Sequence, residues 1–207
     1  MKNIIFALFI VFAMNAQEKK TTAIVNPAGK WFFGAEIGPN IITSYNFNEP
    51  NKSLQGGVLA EFYTGRHWSL TGRFKYFETG VSFLNTKDNF KSYNRAVISI
   101  PVNIKCKINL DEKSVFYIKN GLAYNYGLTS NNYSEYCLVE DEAKSFVSFN
   151  YGIGFEYYTS SNNILFIDLE HYVFGDYKGN NGGFFLPKNY YAENILINFG
   201  IKHNFKL

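Results

Sequence analysis

From Trp31 to the end of the chain, apolar and polar side chains alternate in eight stretches, and the gaps between stretches run short, long, short, long. A period of two is the period of a β-strand, whose successive side chains point to opposite faces. The sharpest stretch places Ile98, Ile100, Val102, Ile104, Cys106 and Ile108 on one face and Ser99, Pro101, Asn103, Lys105 and Lys107 on the other. The first stretch sets Trp31, Phe33, Ala35 and Ile37 against Gly34, Glu36 and Gly38. Another sets Val147, Phe149, Tyr151, Ile153 and Phe155 against Ser148, Asn150, Gly152, Gly154 and Glu156. The short gaps are 64–66, 109–113 and 159–162; the long ones are 42–52, 78–92, 129–144 and 175–191. The pattern predicts an all-β fold, an eight-stranded antiparallel up-and-down transmembrane β-barrel. In such barrels tight turns face the periplasm and longer loops face outward.

Alternation by itself also fits a soluble, lipocalin-like barrel that turns its apolar face inward around a small ligand. Three features favour lipid. The regular interleaving of connection lengths is one. The second is the placement of aromatics, which suit both strands and membrane interfaces. Trp31, Tyr63, Trp68, Phe116, Tyr157 and Phe205 lie beside the short gaps. Tyr45, Tyr76, Phe77, Tyr93, Tyr126, Tyr172, Tyr190 and Tyr191 lie beside the long ones. Two such bands read as interfacial girdles. The third is glycine: Gly34, Gly38, Gly57, Gly121, Gly127, Gly152, Gly154 and Gly200 all take the polar parity, where a narrow barrel has little room.

The start of the chain reads differently. Lys2 followed by the apolar run 4–12 and Ala16 predicts a secretory signal peptide over 1–16. Residues 17–30 are a polar periplasmic lead-in, and 31–207 form the barrel domain. After the signal there is no apolar run of the length a membrane helix needs. A net charge of +3 without a concentrated basic stretch gives no footprint for nucleic acid.

The polar face carries the candidate site. Glu36, Glu61, Glu156, Asp168 and Glu170 face Arg73, Lys75, Lys105, Lys107, Lys119 and Lys202 across the lumen. An eight-stranded barrel has an interior that side chains fill, and buried charges there must pair. The mixed signs therefore predict a mutually neutralising plug, with an ion path or binding pocket as the competing reading. No cofactor and no metal site is expected, since His and Cys lack ligand spacing. His67 sits at a turn, and His171 and His203 take the lipid-facing parity. No serine lies close to His171, so an interfacial histidine is preferred to the base of a lipid hydrolase. Glu135, Glu140, Asp141 and Glu142 read as a solvated outer loop rather than a calcium site, and 179–183 with Asn180 and Asn181 as a loop tip. Cys106 and Cys137 lie at opposite ends of the barrel, too far apart to bridge, so both are expected as thiols. Pro101, inside a strand paired on both sides, predicts a bulge or a lost ladder bond.

Three runs carry a resemblance: Asn15-Ala16-Gln17-Glu18-Lys19-Lys20 after the signal, Ile98-Ser99-Ile100-Pro101-Val102-Asn103-Ile104-Lys105, and Asn150-Tyr151-Gly152-Ile153-Gly154-Phe155-Glu156-Tyr157. With the strand pattern, they resemble the eight-stranded outer-membrane β-barrel family of the Bacteroidota, which includes PorT-like proteins and is built like OmpA and OmpX barrels. The ending Phe205-Lys206-Leu207 departs from that family's terminal aromatic. The resemblance implies the outer membrane of a Gram-negative bacterium and a non-enzymatic structural, scaffold or surface-interaction role, with assistance to a secretion or envelope assembly. Its partners are then outer-membrane lipid and an envelope protein met through the outer loops. A narrow passive pore for small solutes and the soluble binder are the alternatives.

Overall fold

The computed structural model describes residues 26–43, 51–84, 90–128, 145–174, 189–191 and 193–205. They form nine strands: β1 (Trp31–Thr43), β2 (Asn51–Tyr63), β3 (Trp68–Leu84), β4 (Phe90–Asn109), β5 (Ser114–Gly127), β6 (Ser145–Tyr158), β7 (Asn163–Phe174), β8 (Asn189–Tyr191) and β9 (Glu193–His203). β1 to β7 pair antiparallel in chain order, β7 pairs with β9, and β9 returns to β1, closing an eight-stranded barrel. Ala35 of β1 stands opposite Val58 of β2 on one side and Ile201 of β9 on the other.

Side-chain parity decides what faces where. Leu54, Ile37 and Leu122 point outward at 71%, 62% and 60% exposure, whereas Lys75, Lys105, Lys119 and Lys202 are fully buried. Ile100, Ile104 and Phe149 also face out, and Arg73 and Asp168 face in. This orientation is opposite to that of a soluble barrel with an apolar core. Such an outer surface is stable only against hydrocarbon. The glycines on the inward parity make room for this interior. A Cβ on Gly121 would run into the Val102 carbonyl of β4 and the side chain of Asn103.

The short turns close by local chemistry. The Asp111 carboxylate accepts the backbone N–H groups of Lys113 and Ser114 at 2.7 Å each, an Asx-type turn between β4 and β5. Ser160 Oγ accepts from the N–H groups of Asn162 and Asn163 between β6 and β7. At the end of the lead-in, Gly29 N–H donates to the Tyr63 carbonyl at 2.7 Å, with Gly29 at φ +77°. That backbone value favours glycine.

Pro101 behaves as its chemistry requires. The β3–β4 ladder is paired at Gly72–Val102 and resumes at Lys75–Ser99, leaving the two intervening positions unpaired without a slip in register. A ladder interaction is lost and no bulge forms. Pro39 does the same between β1 and β9, where pairing stops at Ile37–Phe199 and resumes at Asn40–Leu196.

Three expectations need correction. The stretch 78–92 is mostly strand: β3 and β4 continue beyond the barrel wall as a paired hairpin to Leu84–Phe90. The stretch 175–191 ends in β8, which pairs with Val81–Phe83 of that hairpin and builds a small outer sheet. Third, Tyr63, Phe77 and Tyr172 belong to no girdle; all three are fully buried inside the barrel. Their inward parity matches Glu61, Lys75 and Glu170, and parity outranks aromatic character. Trp31, Trp68, Tyr76, Tyr126, Tyr157 and Phe205 do face outward.

Cys106 is a free thiol, partly exposed on the outward face. Cys137, the acidic loop 135–142, the tip 179–183, the signal and Lys206–Leu207 lie outside the described residues.

Candidate functional site: the charged lumen

The interior is stacked in layers. Nearest the short turns is an apolar plate of Phe32, Tyr63, Val115, Tyr158 and Ile164. Toward the long connections is a second plate of Phe77, Val97, Ala123, Tyr172 and Leu196. Each residue sits on the inward parity, above or below the charged side chains.

Two charged layers lie between the plates. The layer nearer the short turns surrounds Glu61 of β2 and Glu156 of β6. Lys202 bridges the two carboxylates at 2.6 Å to each, Lys107 at 3.1 and 3.0 Å, and Lys105 at 2.9 and 3.3 Å. The Ser69 hydroxyl donates to Glu61 at 2.5 Å and the Tyr63 hydroxyl to Glu156 at 3.0 Å. Three lysines therefore share two carboxylates.

The second layer is balanced, three acids against three bases. Arg73 reaches Glu36 and Asp168 at 2.9 Å each, and Lys75 reaches Glu36 at 2.9 Å and Glu170 at 2.7 Å. Lys119 contacts Asp168 at 2.9 Å and Glu170 at 3.3 Å. Glu36 is held by these charge contacts at angles that do not make aligned hydrogen bonds. Neutral side chains complete the other two acids. Asn198 and the Tyr117 hydroxyl donate to Asp168, and Asn150 donates to Glu170 at 2.8 Å. Tyr117 also joins the layers, because Lys105 Nζ lies 4.3 Å from its ring centroid. Beyond the second apolar plate comes a neutral rung in which Thr79, Asn194, Asn40 and Ser53 are hydrogen-bonded in series at 2.7–2.9 Å.

Glu36, Glu61, Arg73, Lys75, Lys105, Glu156, Asp168, Glu170 and Lys202 thus lie together in the lumen with Lys107 and Lys119, every charge in contact with one of opposite sign. Alternation found these positions because inward parity is a local property of each strand. It places Tyr117 and Phe166 inward with Lys119 and Asp168, as the structure does, but missed the inward-facing Phe32, Val115, Tyr158 and Ile164, and Arg95, whose guanidinium donates to the Gly127 and Leu128 carbonyls. The parity of Phe32, Val115, Tyr158 and Ile164 was legible in the sequence, but their apolar character concealed it. Among the described residues no cluster of His, Cys, Asp and Glu is arranged for a metal ion.

The histidines stand apart from the lumen. His67 Nδ1 lies 3.1 Å from the Lys107 carbonyl at a turn, and His203 Nδ1 lies 2.7 Å from Asn163 Oδ1. His171 is on the outer wall, with Nδ1 2.7 Å from the Tyr151 hydroxyl and Nε2 3.0 Å from Glu193. Neither partner neighbours it in sequence.

A closed barrel with an apolar outer wall, a charged interior and opposed long and short connections is a transmembrane β-barrel of the outer-membrane type. The family model described as outer membrane protein beta-barrel domain matches residues 4–202, and the chain belongs to that family. No curated protein matches the chain. Among solved structures it resembles Neisserial surface protein A (NspA), with a TM-score of 0.60 at 10% identity, covering 84% of this chain and 97% of that one. It also resembles the outer membrane protein OprG from Pseudomonas aeruginosa, with a TM-score of 0.57 at 10% identity, covering 89% and 100%. A third is Ail, the attachment invasion locus protein of Yersinia pestis, with a TM-score of 0.51 at 14% identity, covering 86% and 99%. At these identities the likeness is one of fold. The protein is an outer-membrane barrel embedded in lipid.

Proposed function

We propose that this barrel is a non-enzymatic scaffold of the cell envelope that works through its outer connections rather than through its interior. The observation that carries the reading is the filled lumen. Two apolar plates enclose two layers of paired charge, so solute transit would have to break several buried ion pairs at once. The competing pore reading finds no support in that packing. The names of two of its structural relatives, a surface protein and an attachment invasion locus protein, agree with a role at the cell surface. The proposed life history starts with export by a signal over 1–16 and continues with a lead-in over 17–30. Bacteroidota membership and a PorT-like role assisting an envelope or secretion assembly belong to the same proposal.

Planar-bilayer recordings with the purified barrel should be electrically silent; steady single-channel steps would replace this reading with the pore. Mild-detergent extraction from the native membrane should recover a reproducible companion protein. That companion should be lost when 129–144 or 175–188 is shortened with the barrel still folded. A barrel that always purifies alone would remove the assembly role.

A further inference from the structure

Asn120 stands at the midpoint of β5 on the outward parity, exposed, with Ile118 and Leu122 beside it along the same face. Across the strands it is opposite Ile104 of β4 and Tyr151 of β6. Its side chain has no hydrogen-bond partner among the described residues. On the β6 side of Asn120 the wall is indented by a groove of about 490 Å³, which Asn120 lines together with Phe149, Tyr151, Ile153, Leu169 and Ile195. On the β4 side Val102 and Ile104 project instead, 50% and 54% exposed.

An amide left unsatisfied in hydrocarbon is costly, and at mid-height of the wall an acyl chain offers neither donor nor acceptor. The occupant that relieves Asn120 is therefore a protein surface that carries a polar group to the same depth. An asparagine amide holds both halves of such a pair, two N–H donors and a carbonyl acceptor, so it is complementary to itself. Self-complementarity is the condition for an isologous contact, in which the same patch serves on both subunits.

We infer that this face of the barrel is an interface with a second copy of the chain, in which the Asn120 amides of the two copies hydrogen-bond to each other. Two barrels inserted in the same direction form a closed pair only about a twofold axis along the membrane normal. That axis keeps every residue at its own depth, so Asn120 meets Asn120. It also sets the β4 side of one copy against the β6 side of the other, where Val102 and Ile104 project toward the second copy's groove. Apolar contact alone would not prefer a protein wall to lipid, since the two are equally apolar; packing into the groove and the amide pair supply the preference. The inference goes beyond the scaffold role and is independent of what the outer connections engage.

The test is single-molecule photobleaching of the full barrel, carrying one dye per chain, reconstituted in phospholipid vesicles over a range of protein-to-lipid ratios. The wild type should bleach in two steps more often than chance occupancy of a vesicle allows. Asn120→Leu should weaken association about tenfold, the net worth of one hydrogen bond or two. Leu169→Trp keeps the amide and fills the groove, and should weaken association to a similar degree. Val58→Leu, on the outward face of β2 away from the groove, should leave it unchanged. Heat-resistant gel mobility checks that each variant is folded. A wild type that stays monomeric at every ratio, or pairs that persist at full strength in either groove variant, would overturn the inference.

Discussion

At the scale of single residues, the lumen shows how charge is tolerated out of water. Glu156 accepts from Tyr63 and contacts Lys105, Lys107 and Lys202, all buried. Removing one member of such a network leaves its partners charged and unpaired, which costs far more than the network contributes relative to an apolar core. Glu156→Gln leaves three lysines around the single carboxylate of Glu61. It should destabilise the barrel by about 3–5 kcal/mol, read from urea unfolding in lipid vesicles. Glu112, exposed in the turn between β4 and β5, is the control, and its glutamine variant should change stability by less than about 1 kcal/mol. A small effect at Glu156 as well would mean that water reaches the lower layer. The charged residues of this layer were legible in the sequence. The identity of their partners was not, because Glu61, Lys105, Glu156 and Lys202 come from four strands brought together by closure alone.

At the scale of elements, the strands obey their period while the prolines interrupt their pairing. Pro101 and Pro39 each sit where one ladder skips two positions and the other ladder of the same strand runs through unbroken. Replacing Pro101 with alanine restores an N–H, worth about 1 kcal/mol if it pairs. It also frees the unfolded chain, which costs a comparable ~0.4–1 kcal/mol. Net stability should therefore change little, but the new amide should be protected from hydrogen exchange to the level of its neighbours at Val102 and Ile100. Rapid exchange there would show that β3 and β4 are splayed apart at this point rather than merely lacking a donor. The hairpin of β3 and β4 beyond the wall reads as a loop in the sequence, because 84–94 carries no sustained apolar–polar alternation. Once a strand leaves the membrane, the two-sided environment that writes the alternation is gone.

At the scale of the whole molecule, stability depends on an inverted arrangement, with hydrocarbon outside and charge inside. An arginine placed on the outward wall tests it directly. Ile104→Arg should cost about 2–4 kcal/mol in a bilayer if the position lies near the midplane of the membrane. The same substitution on a water-exposed wall would change stability by about 0.5 kcal/mol or less. Unfolding from vesicles separates the two, and a negligible cost would contradict the lipid-facing assignment of β4. The conductance and co-purification experiments belong to this scale too, since the filled lumen leaves the outer connections and the outer wall as the surfaces that meet other molecules.

The amino-acid sequence by itself determined the period, the two faces of each strand, the order of short and long connections, and hence a barrel with charge within. These are local properties: parity is set residue by residue along a strand, and a strand cannot change it without slipping every side chain to the other face. Only the tertiary structure decided that Tyr63, Phe77 and Tyr172 seal the lumen, that Lys202 bridges Glu61 and Glu156, and that Tyr151, His171 and Glu193 meet on the outer wall. Those meetings depend on inter-strand register and on the return of β9 to β1, and no periodicity within one strand carries that information.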